Sequence, residues 1–256
     1  MDLSWVYDYL PDISSITENY PDFISGAWIT IQLTVISVII GFFCAIPIAL
    51  ARLSRNPVLR WPAFGFMFYF RGTPLIVQIF LIYYGSGQFV PELKALGLWT
   101  FFREPYFCAI LTLTLNTAAY TAEILRGAIQ AVPHGEVEAA KACGMSPSLA
   151  FRRIVFPKAM RLALPAYTNE VVFLFQATSL VSIITILDLT GVARVLIAKT
   201  FDVFEIWIFV AICYLILTYA MLYGFKALEH RLMGHLRDRE TGEVPAEATE
   251  EAIALR

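Results

Sequence analysis

The chain has 256 residues, of which 58% are hydrophobic and 16% charged, and its mean hydropathy is +0.66. A water-soluble domain carries roughly 25% charged residues, so this composition favours a membrane protein. The net charge of −2, without a basic patch away from the apolar segments, excludes a nucleic-acid partner. The four cysteines are widely separated and predict neither a disulfide framework nor a metal site.

The N-terminal segment, residues 1–25, is acidic and contains no Lys or Arg. It lacks the basic start of a cleavable signal peptide, so we expect the first spanning helix to act as its own insertion signal.

Five segments reach the roughly 20 mainly apolar residues that a helix needs to cross the hydrocarbon core of a bilayer. They are residues 26–50, 61–84, 106–125, 162–187 and 204–225. The second contains the sequence RGTP, Arg71 to Pro74, in which glycine and proline weaken a helix. The sequence therefore predicts an all-α integral membrane protein with about five transmembrane helices, the second of them interrupted.

The basic residues indicate the orientation, because cytoplasmic loops retain Lys and Arg. They follow the first span, fill the loop between the third and fourth, and follow the fifth: Arg52, Arg55, Arg60; Arg126, Lys141, Arg152, Arg153, Lys158, Arg161; Lys226, Arg231. This pattern predicts an N-terminus outside, a cytoplasmic C-terminus, and outward-facing segments 86–105 and 188–203. Residues 233–256 are polar and acidic, and we expect them to form a disordered cytoplasmic tail.

The central cytoplasmic loop contains the sequence EVEAAKACGMS, Glu136 to Ser146. Its alanine and glutamate content predicts a short helix that begins near Gly135 and stops at Pro147. Small residues give this helix a side that another protein could approach closely. The alternative is an amphipathic helix that rests on the membrane surface.

Polar residues recur along two of the predicted spans, where they are costly unless they face a cavity or another helix. In the third span Thr112, Asn116, Tyr120 and Glu123 lie along one stripe; in the fourth, Asn169, Phe173 and Gln176 share a face near Glu170, Thr178 and Ser179. The two stripes could line one cavity and bind a substrate. Alternatively, the amides and hydroxyls form hydrogen bonds between the spans.

Four charged residues at these spans are candidates for substrate binding or gating, and three of them have a structural alternative. Glu170 could pair with a cationic side chain of a substrate. Arg71 could bind a carboxylate or cap carbonyls at the interrupted span. Glu123 could bind substrate or pair with Arg126 three residues later. Asp188 could belong to an extracellular gate or only to its loop.

Stretches in three separate parts of the chain carry a resemblance to a known family. The run EVEAAKACGMSPSLAFRRIVFPKAM resembles the EAA loop of bacterial ABC-importer permeases, with matches at Glu138, Ala139, Ala140, Gly144 and Pro157. The stretches FRGTPLIVQIFLIYYG, NTAAYTAEILRGAIQAVPHGE and NEVVFLFQATSLVSIITILDLTGVAR are similar to the polar amino acid branch of that family. Together the resemblance covers roughly residues 20–232.

The resemblance implies a permease domain at residues 26–232 in the bacterial inner membrane. Its partners would be an ABC ATPase dimer, a periplasmic substrate-binding protein and a second permease chain, either a paralogue or a copy of this one. The EAA helix, between spans three and four, would couple to the ATPase through Glu138, Ala139, Ala140, Gly144, Met145 and Pro157. This chain has no G-x-x-x-x-G-K-[ST] motif, so it is expected to bind no cofactor itself, with ATP and Mg on the ATPase.

Two departures from the family pattern bear on the cargo. Cys143 replaces a frequent leucine, and Gln176 with Ala177 replaces a frequent Lys-Asp pair. Together with Asn169, Glu170 and Asp188 they resemble the histidine, arginine and opine members, which indicates cationic amino acids or opines; glutamine or glutamate is the alternative. The rival classes are a stand-alone ion-coupled carrier and a membrane-embedded enzyme. The three histidines form no HExxH motif, and no intramembrane nucleophile–base pair stands out.

Overall fold

The computed structural model describes residues 14–240 of the chain, with side chains described through residue 231. The helices, in chain order, are α1 (Ser14–Glu18), α2 (Tyr20–Leu53), α3 (Pro57–Gly72), α4 (Leu75–Ser86), α5 (Val90–Ala95), α6 (Trp99–Phe102), α7 (Pro105–Gln130), α8 (His134–Ala142), α9 (Pro147–Ala150), α10 (Phe156–Ala177), α11 (Leu189–Thr200) and α12 (Val203–Glu240). Short 3₁₀ or π turns occupy Gly87–Phe89, Phe151–Val155 and Thr178–Ile184, and residues 14–240 contain no strand.

Four segments of the described chain are long and apolar enough to cross a membrane: α2, α7, the run Pro147–Ile184, and Val203–Arg231 within α12. The bent pair α3–α4 makes a fifth if it counts as one span. The prediction of about five spanning segments in an all-α protein is therefore confirmed. The first and third spans, α2 and α7, extend beyond both ends of the predicted segments 26–50 and 106–125.

The predicted interruption of the second span is confirmed. Helix α3 ends at Gly72, α4 begins at Leu75, and the segments Pro57–Gly72 and Leu75–Ala95 meet at 105°. Thr73 has extended backbone angles, φ −116° and ψ 144°. The ring of Pro74 disfavours a helical conformation at the residue before it and removes a backbone donor, which accounts for the break.

The fourth span, predicted at residues 162–187, is a regular α-helix only in part. Regular α-helix stops at Ala177, and residues 178–184 form a 3₁₀ helix. The hydroxyls of Thr178 and Ser179 donate to the carbonyls of Phe175 and Gln176 at 2.6 and 2.8 Å. These local hydrogen bonds compete with the α-helical hydrogen-bond pattern, so residues 178–184 do not continue the α-helix.

The segments that the sequence predicts to face outward are largely helical. Part of the predicted N-terminal segment forms α1, whose Ser15 hydroxyl donates to Asp202 at 2.5 Å, while residues 1–13 lie outside the described residues. The predicted loop 188–203 contains α11, which packs on α2. Helix α12 continues past residue 232 to Glu240, and residues 241–256 of the predicted tail lie outside the described part.

Helices α2 and α7 form the centre of the fold and share its most extensive contact. Their axes approach closely at Gly41, where a Cβ atom would lie 2.4 Å from Cγ2 of Thr117. A larger residue would push the helices apart. This contact fixes α7, whose polar residues then face α3, α4 and α10.

Candidate functional site

The break between α3 and α4 is closed by a small network of buried amides. The Gln78 amide donates to the carbonyls of Phe70 and Thr73 at 2.8 and 3.0 Å and to the Thr73 hydroxyl at 2.8 Å. Asn116 of α7 donates to the side-chain oxygen of Gln78 at 3.0 Å. These bonds supply donors to carbonyls that the broken helix leaves without partners. Asn116 therefore lies at the predicted site but is engaged in holding the break.

A cluster of charged residues lies beyond Asn116, toward the C-terminal end of α7. Arg126 donates twice to the Glu123 carboxylate, at 2.8 and 2.6 Å, which is the predicted alternative for Glu123. Arg71 approaches the same carboxylate at 3.8 Å. Its guanidinium carbon lies 5.5 Å from the centre of the Tyr120 ring, and the Tyr120 hydroxyl donates to the Arg71 carbonyl at 3.4 Å. The structure thus brings together three of the predicted residues: Arg71, Tyr120 and Glu123.

These charges border a cleft of about 310 Å³ between α2, α3 and α7. Its walls are Arg52, Phe64, Met67, Phe68, Arg71, Gly72, Glu123 and Arg126. The cleft contains three guanidinium groups and one carboxylate. Its chemistry therefore suits an anionic group, and Arg52 is the member that sequence reasoning did not select. Its position at the end of α2, beside a broken span, was the only signal available.

Glu170 of α10 faces the same region from the other side. Its carboxylate has a hydrogen-bond partner in the Thr117 hydroxyl of α7 and is attracted by Arg71. Asn169 is exposed one residue earlier. Arg71 thus lies 3.8 Å from the Glu123 carboxylate and attracts that of Glu170, on a different helix. This arrangement can offer a cation-binding group and an anion-binding group to one small zwitterion.

The remaining residues predicted on the fourth span lie elsewhere. Gln176 and Ser179 line a different cleft, of about 390 Å³, next to Tyr214 of α12. It shares no lining residue with the arginine-rich cleft. Thr178 is fully buried and bonded to Phe175. The two predicted stripes therefore do not line a single cleft in this chain alone.

Asp188 has a structural role in this conformation. It is fully buried and caps α11, accepting from the backbone N–H groups of Thr190 and Gly191 at 3.2 and 2.9 Å and from the Tyr214 hydroxyl at 3.3 Å. Burial raises its pKa to about 6, and the hydrogen bonds to the carboxylate partly oppose that rise. The carboxylate is occupied by these partners rather than directed into a cleft.

The central loop contains the predicted short helix, α8, from His134 to Ala142. Glu138 and Ala139 are exposed, whereas Ala140 is buried beneath them. Gly144, two residues after the end of α8, terminates the helix with a φ of +75° in the left-handed region. The Met145 N–H donates to the Ala140 carbonyl at 3.0 Å. This is a glycine-terminated helix end. It presents small side chains and a glycine to the surroundings.

An ion pair attaches α8 to α10, and a widened turn precedes α10. Lys158 of α10 forms an ion pair with Glu136 of α8. Pro157 lies in the first turn of α10 directly after a π turn, in which the Phe156 N–H donates to the Phe151 carbonyl. Proline has no backbone N–H to donate to a carbonyl of the preceding turn. The widened π turn before Pro157 therefore costs no additional backbone hydrogen bond.

Comparisons with known proteins agree with this architecture. The family described as binding-protein-dependent transport system inner membrane component matches residues 22–234. The nopaline transport system permease protein of Agrobacterium fabrum is 48% identical over 237 residues, which cover 93% of this chain and 98% of that protein. The histidine/lysine/arginine/ornithine transport system permease protein of Escherichia coli strain K12 is 41% identical over 219 residues, 85% and 91% of the two chains.

Solved structures show the same fold. A crystal structure of an amino acid ABC transporter with histidines matches with a TM-score of 0.77 and 34% identity, over 86% of this chain and 98% of that chain. A methionine ABC transporter in an inward-facing conformation matches with a TM-score of 0.70 at 19% identity, which supports the fold alone. The chain belongs to the binding-protein-dependent transport system inner membrane components, the permease subunits of bacterial ABC importers.

Proposed function

We propose that this permease subunit carries opines and cationic amino acids across the bacterial inner membrane, driven by ATP hydrolysis on a partner. The observation that carries the proposal is Arg71 at the break of the second span, 3.8 Å from the Glu123 carboxylate and attracting the Glu170 carboxylate. An amino acid with a cationic side chain needs an acidic partner for that side chain and a basic partner for its carboxylate. Glu170 and Arg71 supply these two groups, with Asn169 and Tyr120 beside them.

The relatives support this choice of cargo over glutamine or glutamate. The similar proteins include permeases named for nopaline, for octopine, and for histidine, lysine, arginine and ornithine. Those names share a cationic amino acid or a conjugate of one. Glu170 on α10 has no lysine or arginine within ion-pair distance among the side chains of residues 14–231, so it suits a cationic cargo better than an acidic one.

Coupling to the ATPase is proposed for α8 and the turn that follows it. Glu138, Ala139, Gly144 and Met145 form its exposed or half-exposed part, Ala140 packs beneath, and Pro157 sets the start of α10. ATP and Mg would bind the partner, as would be expected of a chain without a phosphate-binding loop. The full importer would contain two ATPase subunits, a second permease chain, which is a paralogue or a copy of this one, and a periplasmic substrate-binding protein.

The test is purification of this chain from its own membranes, identification of the proteins that accompany it, and an ATP hydrolysis assay. Histidine, arginine, glutamine and octopine are supplied with the binding protein. We expect an ATPase to co-purify and its activity to rise with arginine or octopine more than with glutamine. A chain that is isolated alone and transports without ATP would be a stand-alone carrier, and the proposal would be wrong.

A matched pair of variants tests the docking surface. Ala139→Asp places a charge on exposed α8, and Ala95→Asp makes the same change on exposed α5, in the segment predicted to face outward. We expect the first variant to lose the co-purifying ATPase and the second to keep it. Equal recovery of ATPase with both variants would remove α8 from the interface.

A further inference from the structure

The arginine-rich cleft carries more positive charge than its own side chains neutralise. Glu123 is held by Arg126 in a two-bond contact and only loosely by Arg71. Arg52 also acts on Glu123 electrostatically, but no carboxylate among residues 14–231 lies within ion-pair distance of it. Its guanidinium carbon instead lies 4.9 Å from the centre of the Phe64 ring.

Guanidinium groups that line one cleft attract an anion, because their positive charges add and their planar donors match a carboxylate or phosphate. The rest of the cleft wall consists of Phe64, Met67, Phe68 and Gly72, which supply no acceptor side chain. The open volume of about 310 Å³ is enough for a small anionic group. The net positive charge of the cleft therefore favours binding of an anion between Arg52, Arg71 and Arg126.

The cleft shares one residue, Arg71, with the site assigned to the cargo. Arg71 belongs to both, because it lines the cleft and also attracts Glu170. A cargo whose cationic end is at Glu170 and whose first carboxylate is at Arg71 would extend any second carboxylate toward Arg52 and Arg126. Simple cationic amino acids have no such group. Octopine and nopaline have one, because each carries an additional carboxylate-bearing chain on the α-nitrogen of arginine.

We propose that Arg52 and Arg126 form a subsite for an additional carboxylate of the cargo, which favours N-carboxyalkyl amino acids over simple cationic ones. The subsite rests on the proposed function, since it requires that this chain contact the cargo at Glu170 and Arg71. Arg52 is the discriminating residue because its charge is not shared with Glu123 at bonding distance. Arg126 is shared, so its loss would disturb the Glu123 pair as well.

The experiment uses the intact importer with its binding protein in vesicles of neutral phosphatidylcholine. ATP hydrolysis is titrated with octopine and with arginine, for the wild type and for Arg52→Gln, Arg52→Lys and Arg55→Gln. Arg55 follows α2, is exposed and does not line the cleft. The ratio of variant to wild type for each cargo cancels the preference of the binding protein.

We expect Arg52→Gln to raise the half-saturating octopine concentration about tenfold, the effect of losing one charge-assisted hydrogen bond, and that of arginine less than about twofold. Arg52→Lys should recover part of the octopine response, and Arg55→Gln should match the wild type. An equal change for both cargoes, or none for either, would overturn the subsite.

Two further outcomes are distinguishable. The titration is repeated in vesicles that contain phosphatidylglycerol. If Arg52→Gln alters activity only there, and equally for both cargoes, the cleft binds a lipid phosphate and the subsite is wrong. If no amino acid or opine stimulates the wild type, the proposed function itself fails, and the subsite fails with it.

Discussion

The Asn116 amide donates to the side-chain oxygen of Gln78 at 3.0 Å, and Gln78 in turn donates to two carbonyls at the break of the bent span. Polar groups buried in a membrane protein are stable only when they have partners. Here one amide pair links α7 to α4 and satisfies the end of α3. The position of Arg71, which precedes the break, therefore depends on two residues that carry no charge.

Replacing Gln78 with Leu should destabilise the protein. The change leaves the carbonyls of Phe70 and Thr73 without that donor, which costs about 1–3 kcal/mol. We expect a lower midpoint of thermal unfolding in detergent. Gln88→Leu is the matched control, because Gln88 is exposed. Equal midpoints for the two variants would mean that the break needs no amide.

The Glu123–Arg126 pair should contribute to stability as a pair. Both side chains are less than a third exposed, at 29% and 25%. Glu123→Gln leaves two arginines facing each other and should cost about 1–3 kcal/mol. In the double variant with Arg126→Gln part of this loss should return. Additive losses in the double-mutant cycle would show no coupling.

Glu170→Gln should reduce stimulation of the importer by a cationic cargo more than by a neutral one. The variant keeps the shape of the side chain and its contact with Thr117, but it removes the charge that would pair with an ammonium or guanidinium group. ATP hydrolysis with arginine and with glutamine measures the difference. The same loss for both cargoes would place Glu170 outside the binding site.

Gly144 should tolerate Asn better than Val. Its φ of +75° strains a β-branched residue by roughly 1–2 kcal/mol, whereas asparagine adopts this region more easily. A Cβ atom at Gly144 would meet no neighbour, so crowding within the chain is not involved. We expect ATP-dependent uptake to fall in the Val variant and to be retained in the Asn variant. Loss in both would point to a partner that contacts Gly144 directly.

The free energy of unfolding of Asp188→Asn, relative to that of the wild type, should increase as the pH rises. Burial raises the Asp188 pKa from 3.8 to about 6, so the folded state binds the proton more tightly than the unfolded state. Stability from this group is present at low pH and is lost as the pH rises through about 6. The amide keeps a cap oxygen without the charge. Unfolding midpoints at about pH 4 and about pH 8 test this, with exposed Asp22→Asn as control.

The number and type of the spanning segments could be predicted from the sequence, because length and hydropathy determine which segments cross a bilayer. The break was also predictable, since Gly72 and Pro74 act on their own neighbours. The end of the fourth span was not. Hydroxyl bonds from Thr178 and Ser179 change the helix type there, and helical periodicity contains no information about that competition.

The candidate site could be predicted only in part, for a similar reason. Polar residues in apolar spans identified Arg71, Glu123 and Glu170, which the fold brings together. Gln78 and Arg52 were missed because their roles depend on which helix packs beside them. Asp188 was selected by its charge, yet its position before α11 makes it a cap.

The ion pair between Glu136 and Lys158 links α8 to the N-terminal end of α10. Lys158 lies near the base of α10, and Glu170 is twelve residues along, about 18 Å at the helical rise. A tilt of the helix base by about ten degrees therefore displaces the Glu170 carboxylate by about 3 Å, the length of a hydrogen bond. A small rocking of α8, if transmitted through this ion pair, would therefore be sufficient to make or break a contact at Glu170.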